Sequence, residues 1–127
     1  MKNRSGRFSL LSRLRSFPYA FRGIRWAFRQ EHNLWIHTLA AAAAIAMGFL
    51  LQISALEWMV IAIVIAGVFV SELFNSAIEN LVDLCSPDYD EKAGRIKDMA
   101  AGAVLIAALG ALATGLIIFI PKLLALF

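Results

Sequence analysis

Long apolar stretches alternate with charged patches along this chain. Residues 34–51 carry no charge. A second apolar stretch begins at Trp58, is uncharged to Ser71 and continues as a patterned helix to about residue 85, and a third occupies residues 99–120. Each is close to or above the roughly 20 residues that a helix needs to cross a bilayer core of about 30 Å. The pattern predicts an all-α integral membrane protein with three transmembrane helices, 34–51, 58–85 and 99–120, the last ended by Pro121.

Composition supports this prediction and excludes several other classes. The chain has 127 residues, enough for a single domain spanning 1–127, and 61% of them are hydrophobic against about 45–50% in soluble domains. So small a fold cannot bury that excess, which excludes a water-soluble monomer and a disordered chain. Cys85 is the only cysteine, so a disulfide framework and a multi-cysteine metal site are excluded as well.

The basic residues predict the orientation in the membrane. Residues 1–31 hold eight Lys and Arg, the predicted loop 86–98 holds three, and the link 52–57 holds none. The positive-inside rule places the N-terminus and the 86–98 loop in the cytoplasm. The basic segment could bind nucleic acid, but its interleaved aromatic residues and the adjoining span argue against a nucleic-acid partner. The first apolar run is too long for a cleaved signal peptide.

The N-terminal segment carries the pattern of an amphipathic helix that lies in the membrane interface. Four large apolar residues are spaced to share one helical face: Phe17, Phe21, Ile24 and Phe28. Three arginines form a neighbouring stripe: Arg22, Arg25 and Arg29. Ser16 is the expected N-cap. Two interpretations stay open at this point: the helix only anchors the protein, or it also forms one wall of a site.

The second predicted span ends in a polar stripe that does not suit contact with lipid. Its members recur at i, i+3, i+4, i+7 and i+11: Glu72, Asn75, Ser76, Glu79 and Asp83. A charge in hydrocarbon costs about 2.5–3.5 kcal/mol on insertion scales, so these carboxylates must face protein or a wet cavity. Bound Mg²⁺ or a shared proton would relieve their repulsion. Salt bridges to the three arginines of the N-terminal helix are the structural alternative.

Other polar residues lie near the same predicted membrane face. Glu31, before the first span, is either a second carboxylate ligand or a salt-bridge partner. Lys97 and Asp98, with residues 88–90, suit a magnesium–nucleotide site, although no P-loop or kinase glycine loop occurs. His37, inside the first span, is expected to form an interhelical hydrogen bond rather than to bind a ligand.

Four parts of the chain share the pattern of a known family: ELFNSAIENLVD (72–83), GRIKDMAAGAVL (94–105), residues 22–25, and Glu31 before the first span. They closely resemble the prokaryotic diacylglycerol kinase family, which includes the undecaprenol kinases. The resemblance covers roughly residues 15–120. It implies a small homotrimeric enzyme of the bacterial cytoplasmic membrane with active sites shared between subunits. Such enzymes transfer the γ-phosphate of Mg-ATP to a lipid hydroxyl, of diacylglycerol or of undecaprenol, at the cytoplasmic face.

The resemblance also implies residue roles. Glu72 matches the general base, Glu31 and Glu79 the ligands of Mg²⁺, and Lys97 the lysine that contacts phosphate. The implied ATP-binding residues are Tyr19, Glu31, Asn75, Glu79, Asp83, Asp88, Tyr89, Asp90, Lys97 and Asp98. The implied lipid-binding residues are Arg25, Glu72 and Ala101. The chain departs from the family pattern at three positions, with Ser12 in place of an arginine, Asp90 in place of a histidine and Ala101 in place of a serine.

A non-enzymatic alternative is a small oligomeric transporter that couples transport to protons through Glu72 and Glu79. Transporters of that kind place a lone acid near the bilayer midplane. Here the stripe instead descends to the cytoplasmic surface and meets the Lys97–Asp98 pair, which favours a kinase.

Overall fold

The computed structural model describes residues 9–127 as a helical protein. The helices are α1 (Leu10–Leu14), α2 (Phe17–Gln30), α3 (His32–Leu50), α4 (Ala55–Cys85) and α5 (Glu91–Leu124), and no strand occurs between residues 9 and 127. The basic residues Lys2, Arg4 and Arg7 of the predicted N-terminal segment lie outside the described residues.

Three of these helices, α3, α4 and α5, are long and apolar enough to cross a membrane, which confirms the predicted class. α4 has 31 residues and α5 has 34, so at 1.5 Å per residue they measure about 46 and 51 Å. Both exceed a hydrocarbon core of about 30 Å. The polar end of α4 and the polar start of α5 therefore extend beyond the core on the same side.

α5 begins earlier and ends later than its sequence pattern predicts. Residues 91–98 were expected in a loop, but they are helical, because the carboxylate of Asp90 accepts a hydrogen bond of 2.9 Å from the N–H of Ala93 and so caps the helix. Apolar periodicity misses such a charged first turn. Pro121 does not end α5, which continues to Leu124. Pro121 cannot donate the hydrogen bond to the carbonyl oxygen four residues earlier, and one further turn of helix follows it.

The other boundaries differ in smaller ways. α4 begins at Ala55 rather than Trp58, because Ser54 and Glu57 form a capping box, with bonds of 2.7 and 3.2 Å. α3 begins at His32 rather than residue 34. Ser16 occupies the N-cap position of α2 but makes no side-chain cap; its hydroxyl donates instead to the carbonyl oxygen of Arg13.

The three long helices pack on a small core at the end away from the polar stripe. Ile53, Ile61, Ile118 and Phe119 form this core, and Lys122 of α5 pairs with Glu57 of α4 at 3.2 Å beside it. Fewer than one in five residues in the apolar window of each span is buried within the chain. The remaining apolar surface faces outward, as a membrane-embedded chain requires.

Helix α2 has the predicted amphipathic pattern and contacts the bundle at its C-terminal end. The ring of Phe28 lies 5.4 Å from that of Trp35 on α3 and 6.2 Å from that of Phe69 on α4. The indole N–H of Trp35 also donates to the carbonyl oxygen of Phe28 at 2.9 Å. Phe17 and Phe21, by contrast, are exposed. α2 is therefore held at one end, which brings Glu31, the residue that follows it, against α4.

Candidate functional site

The polar stripe of α4 is buried at its membrane-side end and exposed at its other end. Glu72 and Ser76 are each 2% exposed, whereas the side chain of Asp83, two to three turns further along, is 64% exposed. The stripe therefore passes from an environment shielded by protein to one open to the aqueous side. That gradient decides what each carboxylate can contact.

Glu72 is held by a histidine on the neighbouring helix. Nε2 of His37 lies 2.8 Å from Oε1 of Glu72, joining α3 to α4. The expected interhelical hydrogen bond of His37 is confirmed, and the structure adds its partner. A carboxylate buried to this degree requires a hydrogen-bond donor, because isolated burial of a charge is costly.

Glu31 reaches the same stripe from the break between α2 and α3. Its backbone is extended, with φ −106° and ψ 110°, and it ends one helix and precedes the next. The hydroxyl of Ser76 donates to Oε1 of Glu31 at 2.9 Å. Two pairs, Ser76–Glu31 and Glu72–His37, thus place α3 antiparallel to α4 along the stripe.

Asn75 and Glu79 form the next level of the stripe. The amide Nδ2 of Asn75 donates to Oε1 of Glu79 at 3.3 Å, while its carbonyl Oδ1 is buried without a hydrogen-bond partner. A buried acceptor without a partner favours a bound donor or cation. Oxygen atoms from Glu31, Asn75 and Glu79 are the hard ligands that Mg²⁺ prefers, so the residue types fit that ion. Within residues 9–127, however, no three His, Cys, Asp or Glu side chains already converge on one point.

Lys97 extends the stripe onto α5. Its ammonium forms an ion pair with a carboxylate oxygen of Asp83, and its side chain is 36% exposed. The first turns of α5, predicted as loop, are what place Lys97 beside the end of α4. A cation at this position is available to bind phosphate oxygens.

The structural alternative for the polar stripe, salt bridges to the arginines of α2, is not formed among residues 9–127. Among residues 9–127, no ion pair joins Arg22, Arg25 or Arg29 to the carboxylates of α4. Arg22 instead lies over the ring of Tyr19, 5.3 Å from its centroid. The acidic face of α4 is therefore not neutralised by the N-terminal helix.

Several residues implied by the resemblance lie away from the stripe within a single chain. Tyr19 and Tyr89 are 66% and 96% exposed, and Asp90 caps α5. The others are exposed on α2, on the link between α4 and α5, or on α5 itself: Arg25, Asp88, Asp98 and Ala101. The stripe and Lys97 come together in this chain, and these residues do not join them.

Sequence reasoning gave no role to Ser76 and did not identify the partner of His37. Its i+4 spacing from Glu72 already placed Ser76 on the stripe, and the structure adds its hydrogen bond to Glu31. No sequence signal assigns His37 to Glu72, because pairing between helices depends on their relative register.

Comparisons with known proteins match most of the chain. A family model described as prokaryotic diacylglycerol kinase matches residues 18–119. The chain is 42% identical over 123 residues to an undecaprenol kinase of Bacillus subtilis, covering 97% of this chain and 100% of that protein. It is 41% identical over 112 residues to a diacylglycerol kinase of Synechocystis sp., covering 87% of this chain and 64% of that protein. A diacylglycerol kinase of Escherichia coli is 32% identical over 101 residues, 80% of this chain and 83% of that protein. The matched segment includes the whole polar stripe, Glu31 and Lys97.

Proposed function

The chain belongs to the prokaryotic diacylglycerol kinase family, and from that premise we propose that it transfers the γ-phosphate of ATP to the hydroxyl group of a membrane lipid. Membership makes it a phosphotransferase with an alcohol acceptor. The donor, the metal, the acceptor and the residue roles below belong to the proposal.

The observation that carries the proposal is the gradient of exposure along one face of α4. Glu72 is 2% exposed at the membrane-side end, and the Lys97–Asp83 ion pair is open to water at the other. A lipid kinase must bring together a substrate from the bilayer and a substrate from the cytoplasm. A face that begins in a protein-lined apolar region and ends in water suits both.

Glu72 is the residue that we assign as general base. Its carboxylate takes the proton of the lipid hydroxyl while the hydroxyl oxygen bonds to the γ-phosphorus. The bond between that phosphorus and the β,γ-bridging oxygen breaks, and ADP leaves with the electron pair. Phosphoryl transfer needs little covalent chemistry from the protein, so positioning and charge stabilisation supply most of the effect.

Lys97 is assigned to the phosphates, with Asp83 holding its ammonium in place when no nucleotide is bound. Glu31 and Glu79, with the carbonyl of Asn75, would hold Mg²⁺. When bound, this ion would neutralise charge on the phosphate oxygens. The unpartnered Oδ1 of Asn75 supports that assignment.

A homotrimer with shared active sites is part of the proposal. The apolar faces of α3, α4 and α5 are largely exposed in one chain, and several nucleotide and lipid residues do not reach the stripe within it. A second subunit would bring such residues to the site: Tyr19, Arg25, Asp88, Tyr89, Asp90, Asp98 and Ala101. The basic N-terminal segment and the basic residues in the first turns of α5, Lys92, Arg95 and Lys97, support a site at the cytoplasmic face of the bacterial inner membrane.

Two acceptors follow from the names of the relatives, diacylglycerol and undecaprenol. The match to the undecaprenol kinase extends over the full length of that protein, so undecaprenol is the first acceptor to test. The proton-coupled transporter is not favoured, because family membership and the descent of the stripe to the aqueous side both support phosphate transfer.

The test is transfer of label from [γ-³²P]ATP by the purified protein in detergent, with diacylglycerol and undecaprenol offered separately in the presence of Mg²⁺. Label in a lipid is expected, and Glu72→Gln should abolish it. Glu91→Gln is the matched control, because Glu91 is exposed and, within residues 9–127, forms an ion pair with Arg95 alone. A folded protein that labels neither lipid, or a Glu72→Gln variant with full activity, would contradict the proposal.

A further inference from the structure

A cavity of about 480 Å³ lies between α3, α4 and α5 within the membrane-spanning region. Its wall is made of small and aliphatic side chains, among them Ala40, Ala44, Val68 and Ala108. Of the lining residues in the described chain, His37 is the only polar one. A single imidazole on an otherwise apolar wall is unusual, because burial of a polar group without a partner is unfavourable.

The partner of that imidazole is the proposed general base. Nε2 of His37 lies 2.8 Å from Oε1 of Glu72, and Glu72 is 2% exposed while the His37 side chain is 21% exposed. Within residues 9–127, His37 is the only side chain that hydrogen-bonds to Glu72, and no lysine or arginine pairs with it. The Glu72 carboxylate thus depends on one side chain from another helix.

We propose that His37 is a positioning residue for phosphate transfer: the N–H at Nε2 donates to Oε1 of Glu72 and fixes the carboxylate so that Oε2 accepts the proton of the lipid hydroxyl. This inference rests on the proposed function. The transferred proton moves from the hydroxyl to Oε2, and His37 keeps its own proton throughout.

The chemistry of the glutamate side chain explains why a positioning partner is needed. Three rotatable bonds separate its backbone from the carboxylate, and a general base acts only within hydrogen-bond reach of the proton that it takes. A hydrogen bond to an ionised group is among the stronger ones in proteins. Loss of the donor both frees the carboxylate and leaves it buried without a partner.

Two substitutions separate the hydrogen bond from the imidazole ring. In His37→Gln, the amide nitrogen lies the same number of bonds from Cα as Nε2, so the donor is retained. In His37→Leu, the side-chain bulk is retained and the donor is lost. His32→Leu is the matched control, because His32 is the other histidine of the chain and is exposed at the start of α3.

The measurement is kcat and the KM for ATP at saturating lipid, with each variant checked for folding by its melting temperature. We expect His37→Leu to lower kcat by roughly 10- to 100-fold, with the KM for ATP unchanged because Lys97 and Asp83 are intact. His37→Gln should recover most of kcat, and His32→Leu should match the wild type. A folded His37→Leu variant with wild-type kcat would overturn the proposal. A His37→Gln variant as impaired as His37→Leu would also overturn the proposal. The imidazole ring, rather than its hydrogen bond to Glu72, would then be what the reaction needs, as a carrier of the lipid hydroxyl proton.

A spectroscopic measurement tests the hydrogen bond without any turnover. In NMR spectra of protein labelled with ¹⁵N-histidine, the His37 signal is the one that is present in the wild type and missing from His37→Gln. We expect this signal to show a proton on Nε2. We also expect it to shift in the Glu72→Ala variant. An Nε2 without a proton would overturn the inference even for a protein that phosphorylates neither lipid. A third outcome is a protein that transfers no phosphate but whose His37 signal shows a proton on Nε2 and shifts in Glu72→Ala. That outcome would contradict the proposed function, while the hydrogen bond between His37 and Glu72 would be established.

Discussion

Ser76 and Glu31 are 45 positions apart in sequence, and the hydroxyl of Ser76 donates a 2.9 Å hydrogen bond to Oε1 of Glu31. Ser76 is 2% exposed, so this bond is shielded from water. Glu31 lies on the short extended break between α2 and α3, where nothing in the local backbone fixes its side chain. Ser76 is therefore the contact that brings a carboxylate from the membrane surface to the polar stripe of α4.

Ser76→Ala is expected to weaken the use of Mg²⁺ more than it lowers the maximal rate. A hydrogen bond to a charged group contributes about 1.5–3 kcal/mol, and about 1.4 kcal/mol corresponds to a factor of ten. The apparent KM for Mg²⁺ should therefore rise by roughly 10-fold in the lipid phosphorylation assay. Ser71→Ala is the control, because the Ser71 hydroxyl on the same helix donates to the carbonyl oxygen of Val68 within its own helix. An unchanged requirement for Mg²⁺ in Ser76→Ala would argue against Glu31 as a metal ligand.

Lys97→Gln should lower phosphate transfer strongly. The substitution keeps a polar group on a side chain that is shorter by one bond, and it removes the charge that we assign to the phosphates. Loss of one preorganised charge-stabilising group costs roughly 100-fold in rate. The comparison is with Lys92→Gln, because Lys92 is exposed on the first turn of the same helix. Equal rates for the two variants would show that Lys97 serves only the ion pair with Asp83.

The polar stripe could be predicted from sequence because helical periodicity alone puts residues 72, 75, 76, 79 and 83 on one face. The three spans could be predicted because their apolar runs are long. The contacts between helices could not, since nothing in the local pattern sets the register of α3 against α4, and that register pairs His37 with Glu72. The start of α5 was missed for a different reason: residues 91–98 are charged, and capping by Asp90 rather than apolar periodicity makes them helical.

Gly48→Ala should destabilise the end of the bundle away from the site. A Cβ at this position would lie 2.6 Å from Cη2 of Trp58 and 3.1 Å from Cδ1 of Ile53. Overpacking of this kind costs about 1–3 kcal/mol, so the melting temperature in detergent should fall by several degrees. The control is Gly67→Ala, since a Cβ there would meet nothing within 4 Å.

Relief of the same clash provides a second check. Trp58→Phe shortens the side chain that a Cβ at position 48 would meet, so the double variant should lose less stability than the sum of the two single variants. Additive losses would show that the destabilisation of Gly48→Ala does not arise from contact with Trp58.

The proposed topology predicts that the two ends of the bundle lie on opposite sides of the membrane. Cys85 is the only cysteine of the chain and is exposed at the end of α4, beyond the buried part of the stripe. A membrane-impermeant thiol reagent should label it in inside-out vesicles and not in intact spheroplasts.

The comparison is a double variant, Cys85→Ser with Lys122→Cys. It moves the thiol to the end of α5, where Lys122 pairs with Glu57 in the wild-type protein. That variant should show the reverse pattern, and its melting temperature in detergent checks that it folds without the Lys122–Glu57 ion pair. Labelling of Cys85 from outside the cell would place the polar stripe on the side that lacks cytoplasmic ATP, and phosphate transfer from cytoplasmic ATP at this site would then be excluded.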